Sequence, residues 1–224
     1  MKPWELLGRA RTPEGSEMTL VRRGGEYLIL ADGKDLMSSR MHGSEEALAT
    51  LGCAHLAGQA EPCVLVGGMG MGFTLRATLD LLPRGGSVVL SELIPEVVEW
   101  NRGPLGSLAG RPVDDPRVVI ECGDVALTLR ARVARFDAVL LDVDNGPAAF
   151  SQSSNAALYS DAGLTAARLA LKPGGALAIW SAWDDVKFVH RLRYNRFTVE
   201  THRLRARLKK GGPRHTIFLA TPLD

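Results

Sequence analysis

Five short and largely continuous apolar runs, at 63–67, 87–93, 117–121, 136–142 and 175–180, alternate with segments of helical periodicity at about 72–82, 95–102, 124–132, 158–171 and 185–193. Runs without polar alternation belong to strands buried on both faces, and the intervening helices are the crossovers that parallel pairing requires. The alternation therefore predicts an α/β fold built on a mostly parallel sheet with helices on both faces. The end of the chain breaks the pattern. "RFTVETHRLRARLKKGGPRHTIFLATP" reads as two strands joined through Lys209-Lys210-Gly211-Gly212-Pro213, so the last strand should return antiparallel, giving seven strands in all.

Ahead of the alternation, "MTLVRRGGEYLILA" (18–31) has the pattern of a β-hairpin turning at Arg23-Gly24-Gly25. A helix should follow in "SEEALATLGCAHLAG", with Ser44 as its N-cap, acidic residues in its first turn, and Leu48, Leu51 and Leu56 on its apolar side. The chain thus divides into a hairpin region, 1–43, and a main domain, 44–224. The Pro- and Gly-rich section at 103–116 reads as a surface loop.

A length of 224 residues suits one well-buried core with a small appendage. Hydrophobic residues make up 46% and charged residues 23%, as in soluble globular proteins, and no apolar run approaches the roughly 20 residues of a membrane span. The N-terminus lacks the apolar segment of a signal peptide, so the expectation is a cytoplasmic protein without a membrane partner. Cys53, Cys63 and Cys122 are widely spaced in apolar surroundings and read as buried free thiols rather than a disulfide or metal set. A net charge of +2 gives no reason to expect a nucleic-acid partner. The basic residues nevertheless crowd near the end, at Arg203, Arg205, Arg207, Lys209, Lys210 and Arg214.

The chemistry concentrates where apolar runs stop. Gly68, Gly70 and Gly72 form G-x-G-x-G between the first core strand and its helix, the place where bare backbone lets a ligand approach the helix N-terminus. Methionines separate these glycines, and the turn carries no charge. Glu92, followed by Leu93, lies at the end of the second strand, about 20 residues past the glycines, where a carboxylate can accept both hydroxyls of a ribose. Asp124 follows the third strand and can accept an adenine amino group with Val125 covering the ring, or cap the next helix. Asp142 and Asp144 follow the fourth strand and can orient an amine or accept a proton. Trp180 and Trp183 follow the fifth and can wall an acceptor pocket, although Trp180 also suits the core.

Taken in order, the hairpin, the helix, "LVGGMGMGFTLR", "SELIPEVVE", "ECGD", "FDAVLLDVDNGP" and "LYSDAGLTAARLALKPGGALAIW" resemble the spermidine synthase family. These are aminopropyltransferases on the Rossmann-like class I S-adenosylmethionine-dependent methyltransferase fold. The resemblance implies a cofactor pocket of Gly68, Gly70, Gly72, Glu92, Asp124 and Asp142, to which the turn adds Met71, and an association into dimers or tetramers. Three departures accompany it. The family's glycine turn, G-G-G-D-G-G, uses its aspartate to hold the free amine of decarboxylated S-adenosylmethionine, and Met71 stands there here. The D-S-S-D-P-x-G-P signature is shortened to Asp142-Val143-Asp144-Asn145-Gly146-Pro147. The Tyr-His-Glu group of the polyamine pocket is not recognisable in Gly43-Ser44-Glu45-Glu46.

A thioether cannot pair with an ammonium group, so a neutral turn favours the intact methionine carboxylate. If the last turn lies on the ligand side, Lys209, Lys210, Arg214 and His215 form a rim that attracts an anionic acceptor. The leading expectation is therefore a methyltransferase using S-adenosylmethionine on a small anionic acceptor. In it, Asp142 orients the cofactor amine or the acceptor, and Asp144 is the general base. The alternative is a polyamine aminopropyltransferase using decarboxylated S-adenosylmethionine. A third reading is a non-catalytic nucleoside-binding protein; a dinucleotide oxidoreductase is disfavoured by the antiparallel last strand.

Overall fold

The computed structural model describes residues 2–143, 146, 153–206 and 212–223. Its main sheet contains β5 (Cys63–Gly67), β6 (Ser87–Glu92), β7 (Val118–Cys122), β8 (Phe136–Leu141), β9 (Leu171–Ser181), β10 (Phe197–Arg205) and β11 (Arg214–Pro222). Their spatial order is β10-β11-β9-β8-β5-β6-β7. The pairs joining β7, β6, β5, β8 and β9 are parallel, whereas β11 lies antiparallel between β9 and β10. This is the α/β fold expected from the alternation, including the antiparallel return of the last strand.

Burial explains the uninterrupted apolar runs. Val64, Val66, Leu90, Ala138, Leu140 and Ala178 face one apolar cluster, while Cys63, Leu65, Val89, Val139, Leu141 and Leu177 face a second on the other side. Both sets are apolar because both faces are covered. The first face receives α1 (Gly43–Cys53), α2 (Phe73–Leu81) and α3 (Pro95–Arg102); the second receives α4 (Val125–Arg130), α5 (Ser153–Leu158), α6 (Asp161–Ala170) and α7 (Val186–Tyr194).

The N-terminal hairpin proves to be the centre of a four-stranded antiparallel sheet. Its strands are β1 (Glu5–Arg11), β2 (Glu17–Arg23), β3 (Glu26–Ala31) and β4 (Lys34–Ser38), paired in sequence order. Gly24-Gly25 makes the β2–β3 turn, while Asp32-Gly33 at φ of +47° and +75° makes the β3–β4 turn. The latter was a readable signal, but β4 is only five residues long and lacks strong alternation.

Four local expectations need correction. His42 occupies the N-cap of α1 without a side-chain capping bond, its Nδ1 lying 2.7 Å from Glu46 Oε1 instead, and Ser44 lies inside the helix. The helix expected over 158–171 is split, because Ser160 ends one segment and accepts from Gly163 N at 3.2 Å to cap α6. Cys53 and Cys63 are buried, but Cys122 is exposed at the end of the edge strand β7. The 103–116 section is also more than a surface loop, since Leu105, Ala109 and Pro112 are buried beside the glycine turn.

Candidate active site

The strand order reverses between β5 and β8, placing a crevice beyond their carboxyl ends. The backbone leaves β5 with Asp142 N donating to Gly67 O at 2.8 Å and Gly68 N donating to Ser91 O at 2.9 Å. Gly68 then takes φ +85°, and a Cβ there would lie 2.3 Å from the Asp142 carbonyl oxygen. Glycine is therefore required by the close approach of the two strand ends, before any ligand is considered. Gly70 is different: at φ +50°, its missing Cβ faces only the Cε and Sδ atoms of Met37 on β4, at 2.6 and 2.9 Å. A movable thioether covers that part of the turn.

Glu92 is buried, with Oε2 accepting from Met69 N and Oε1 from Ile94 N, both at 2.8 Å. These bonds fix the carboxylate against the turn. Leu93 is partly buried against the adjacent core. Asp124 caps α4 by accepting from Ala126 N at 2.8 Å, while Val125 is buried with its γ carbon toward Gly67. The glycine turn, Glu92 and Asp124 thus lie together beyond the carboxyl ends of β5, β6 and β7.

Met71 needs reinterpretation. Its side chain is 1% exposed and belongs to the apolar core, so it contributes packing rather than a thioether wall to the crevice. Trp180 is also largely core, with its ring centroid 4.6 Å from that of His215 in an edge-to-face arrangement. Trp183 is 54% exposed. Arg214 starts β11 opposite Arg205, at the same sheet edge as the ends of β5, β8 and β9. Asp144, Lys209 and Lys210 lie outside the described residues.

The sequence reading missed the residues that α1 adds to this edge. Glu45 is buried and faces Asp142; desolvation, reinforced by the Asp142 charge, pushes its carboxyl up to about 8. Desolvation likewise pushes Asp142 up to about 6, although Thr74 Oγ1 donates to Asp142 Oδ2 at 2.5 Å. Among the described residues, neither carboxyl forms an ion pair. Ser44 Oγ donates to Glu45 Oε2 at 2.7 Å and lies 2.8 Å from His215 Nδ1. The acidic lining that the motif departures appeared to remove is thus partly present, supplied by α1. A polar Ser-Glu-Glu run at a helix start looks like capping chemistry, which concealed it.

No protein-family model and no curated protein sequence matches the chain. Solved structures do. A spermidine synthase in complex with the transition-state analogue AdoDATO superposes with a TM-score of 0.75 at 18% identity, over 96% of this chain and 71% of that one. Spermidine synthase from Thermotoga maritima gives 0.76 at 18% identity, over 96% and 72%. A probable spermidine synthase from Corynebacterium glutamicum gives 0.66 at 16% identity, over 99% and 81%. Together with the antiparallel seventh strand and the N-terminal sheet, these likenesses show that the chain has the spermidine synthase-like form of the class I methyltransferase fold.

Proposed function

We propose that the protein is an aminopropyltransferase that uses decarboxylated S-adenosylmethionine and a small amine acceptor. The observation that carries this reading is the buried Glu45–Asp142 carboxyl pair beside the glycine turn, which has no ion-pair partner among the described residues. Two carboxyls without a cation are costly to bury, and an ammonium group is the ligand that would offset the cost. The structural neighbours support the same direction, since two are spermidine synthases and the third is a probable one.

In this reading Glu92 holds the ribose hydroxyls, Asp124 faces the adenine amino group, and the turn from Gly68 to Gly72 admits the nucleoside. The bound cofactor supplies a sulfonium-activated carbon; an amine lone pair forms the new N–C bond while the C–S pair departs onto sulfur. The protein's part is to desolvate and orient the acceptor and to receive the proton its ammonium loses. Asp142, with the lower pKa of the two, is the receiving group, and Glu45 shares the proton across the pair.

A second reading, methyl transfer from intact S-adenosylmethionine, has one specific observation behind it. The buried thioether of Met71 stands where the resembling family has the aspartate that holds the bare amine. The exposed Arg205 and Arg214 at the same edge also suit an anionic acceptor better than a polyamine.

Calorimetric titration with the two cofactors, followed by incubation of each with 1,4-diaminobutane, separates the readings. Tighter binding of the decarboxylated form, with release of 5′-methylthioadenosine, is expected. A tenfold preference for intact S-adenosylmethionine, about 1.4 kcal/mol, with no thioadenosine released overturns the proposal in favour of methyl transfer.

A further inference from the structure

The hydrogen-bond pattern at the start of α1 reaches beyond ligand binding. Ser44 has one hydroxyl proton and two contacts. While it donates to Glu45 Oε2, its oxygen can only accept from His215 Nδ1–H. With Glu45 protonated and His215 in its Nε2–H tautomer both bonds reverse: the carboxyl O–H then donates to Ser44 Oγ, and Ser44 O–H donates to the unprotonated Nδ1. His215 is partly exposed, whereas Ser44 and Glu45 are buried. The three residues therefore form a continuous line from the buried carboxyl pair to a group that reaches solvent.

We propose that Glu45, Ser44 and His215 constitute a proton relay that connects the Glu45–Asp142 pair with bulk water across β11. This inference deepens the aminopropyl-transfer reading and rests on it for the source of the proton. An acceptor enters as an ammonium and must lose one proton before its lone pair is available. That proton passes to the carboxyl pair. Glu45 then transfers a proton to Ser44 Oγ as Ser44 passes its own to His215 Nδ1, the proton on Asp142 crosses to Glu45, and His215 releases one from Nε2 to water; proton exchange with water then returns the ring to its Nε2–H tautomer. Every group returns to its starting charge, and no other reactant is consumed.

The surroundings favour transit over storage. Burial lowers the His215 pKa from its ordinary 6.5, so the imidazole holds a proton only briefly at neutral pH. Glu45 is influenced by Asp142 and Glu46, which both raise its pKa. Trp180 of β9 packs against the His215 ring, Leu204 of β10 lies opposite His215 on the paired strand, and the charged neighbours along the β10–β11 end are Arg205 and Arg214. A purely structural serine bridge would need neither a titratable ring at one end nor, at the other, a buried carboxyl that has no ion-pair partner among the described residues.

The test combines nuclear magnetic resonance with kinetics on the full chain. In wild type, the ¹⁵N shifts of His215 should show two titration steps, its own and a second that follows Glu45; Glu45→Gln should abolish the second, and Ser44→Ala should uncouple the two. With decarboxylated S-adenosylmethionine and 1,4-diaminobutane, His215→Ala should turn over about 10²-fold more slowly in weak buffer. Added imidazole should restore much of the loss, while His215→Gln, which can hydrogen bond but cannot carry the proton, should stay slow. His215 shifts indifferent to Glu45→Gln, or a loss that imidazole does not rescue, overturn the relay. Coupled titration in a wild-type protein that releases no thioadenosine keeps the relay and overturns the aminopropyl-transfer reading.

Discussion

At the scale of single residues, the buried carboxyl pair makes a prediction about stability that does not depend on any substrate. Glu45 has an ordinary value of 4.5 and is pushed to about 8 in the fold. Between those values the native state holds a proton that the unfolded chain has lost, so stability is greatest at the acid end and falls as pH rises. Each tenfold difference in proton affinity is about 1.4 kcal/mol. Thermal melts should therefore show the melting temperature declining from pH 5 to pH 8, beyond what surface charges cause. Glu45→Gln should flatten the decline and raise the melting temperature at pH 8 by about 2–4 °C for each kcal/mol recovered. An unchanged slope in the variant would mean that the pair is well hydrated in solution. The sequence could not reveal this residue, because its role arises from α1 crossing the ends of β8 and β11. Asp142 was readable for the opposite reason: it follows a fully buried, mostly apolar strand, where the fold places ligand-facing groups.

At the scale of elements, α4 separates capping from binding. It has only six residues, and Asp124 supplies its one side-chain cap, to Ala126 N. So short a helix cannot hold itself, and loss of the cap should cost about 1 kcal/mol. Asp124→Ala should lower the melting temperature by about 2–4 °C, and Asp124→Ser should restore most of it, because a hydroxyl accepts the same bond. Binding of S-adenosylmethionine or its decarboxylated form should remain weakened in Asp124→Ser if the carboxylate also meets the adenine. Full recovery of both properties would assign the residue to the helix alone. The long strands and most helices were legible because two-sided burial leaves a strong pattern. Less legible were β1, whose Gly8 interrupts its alternation, and the break at Ser160, where a polar cap falls between two apolar segments.

At the scale of the molecule, the division at residue 43 is a matter of cooperativity. Ala10, Met18, Leu20 and Ile29 of the N-terminal sheet share one apolar cluster with Leu48, Leu75, Val97, Trp100 and Leu140 of the main domain. The tightest approach is at Gly8 of β1, where an added Cβ would lie 2.3 Å from Trp100 Nε1 and 2.9 Å from Cε2. The indole is buried and rigid, so Gly8→Ala must displace either β1 or α3, at an expected cost of about 1–3 kcal/mol. We propose that both regions unfold together. Tryptophan fluorescence and far-ultraviolet circular dichroism should give coincident melting curves in wild type, and Gly8→Ala should shift both equally. The same substitution should weaken nucleoside binding, because the N-terminal sheet also holds Met37 over Gly70. If only the fluorescence transition moves, the sheet folds as an appendage, and Met37 can leave the glycine turn without unfolding the domain beneath it.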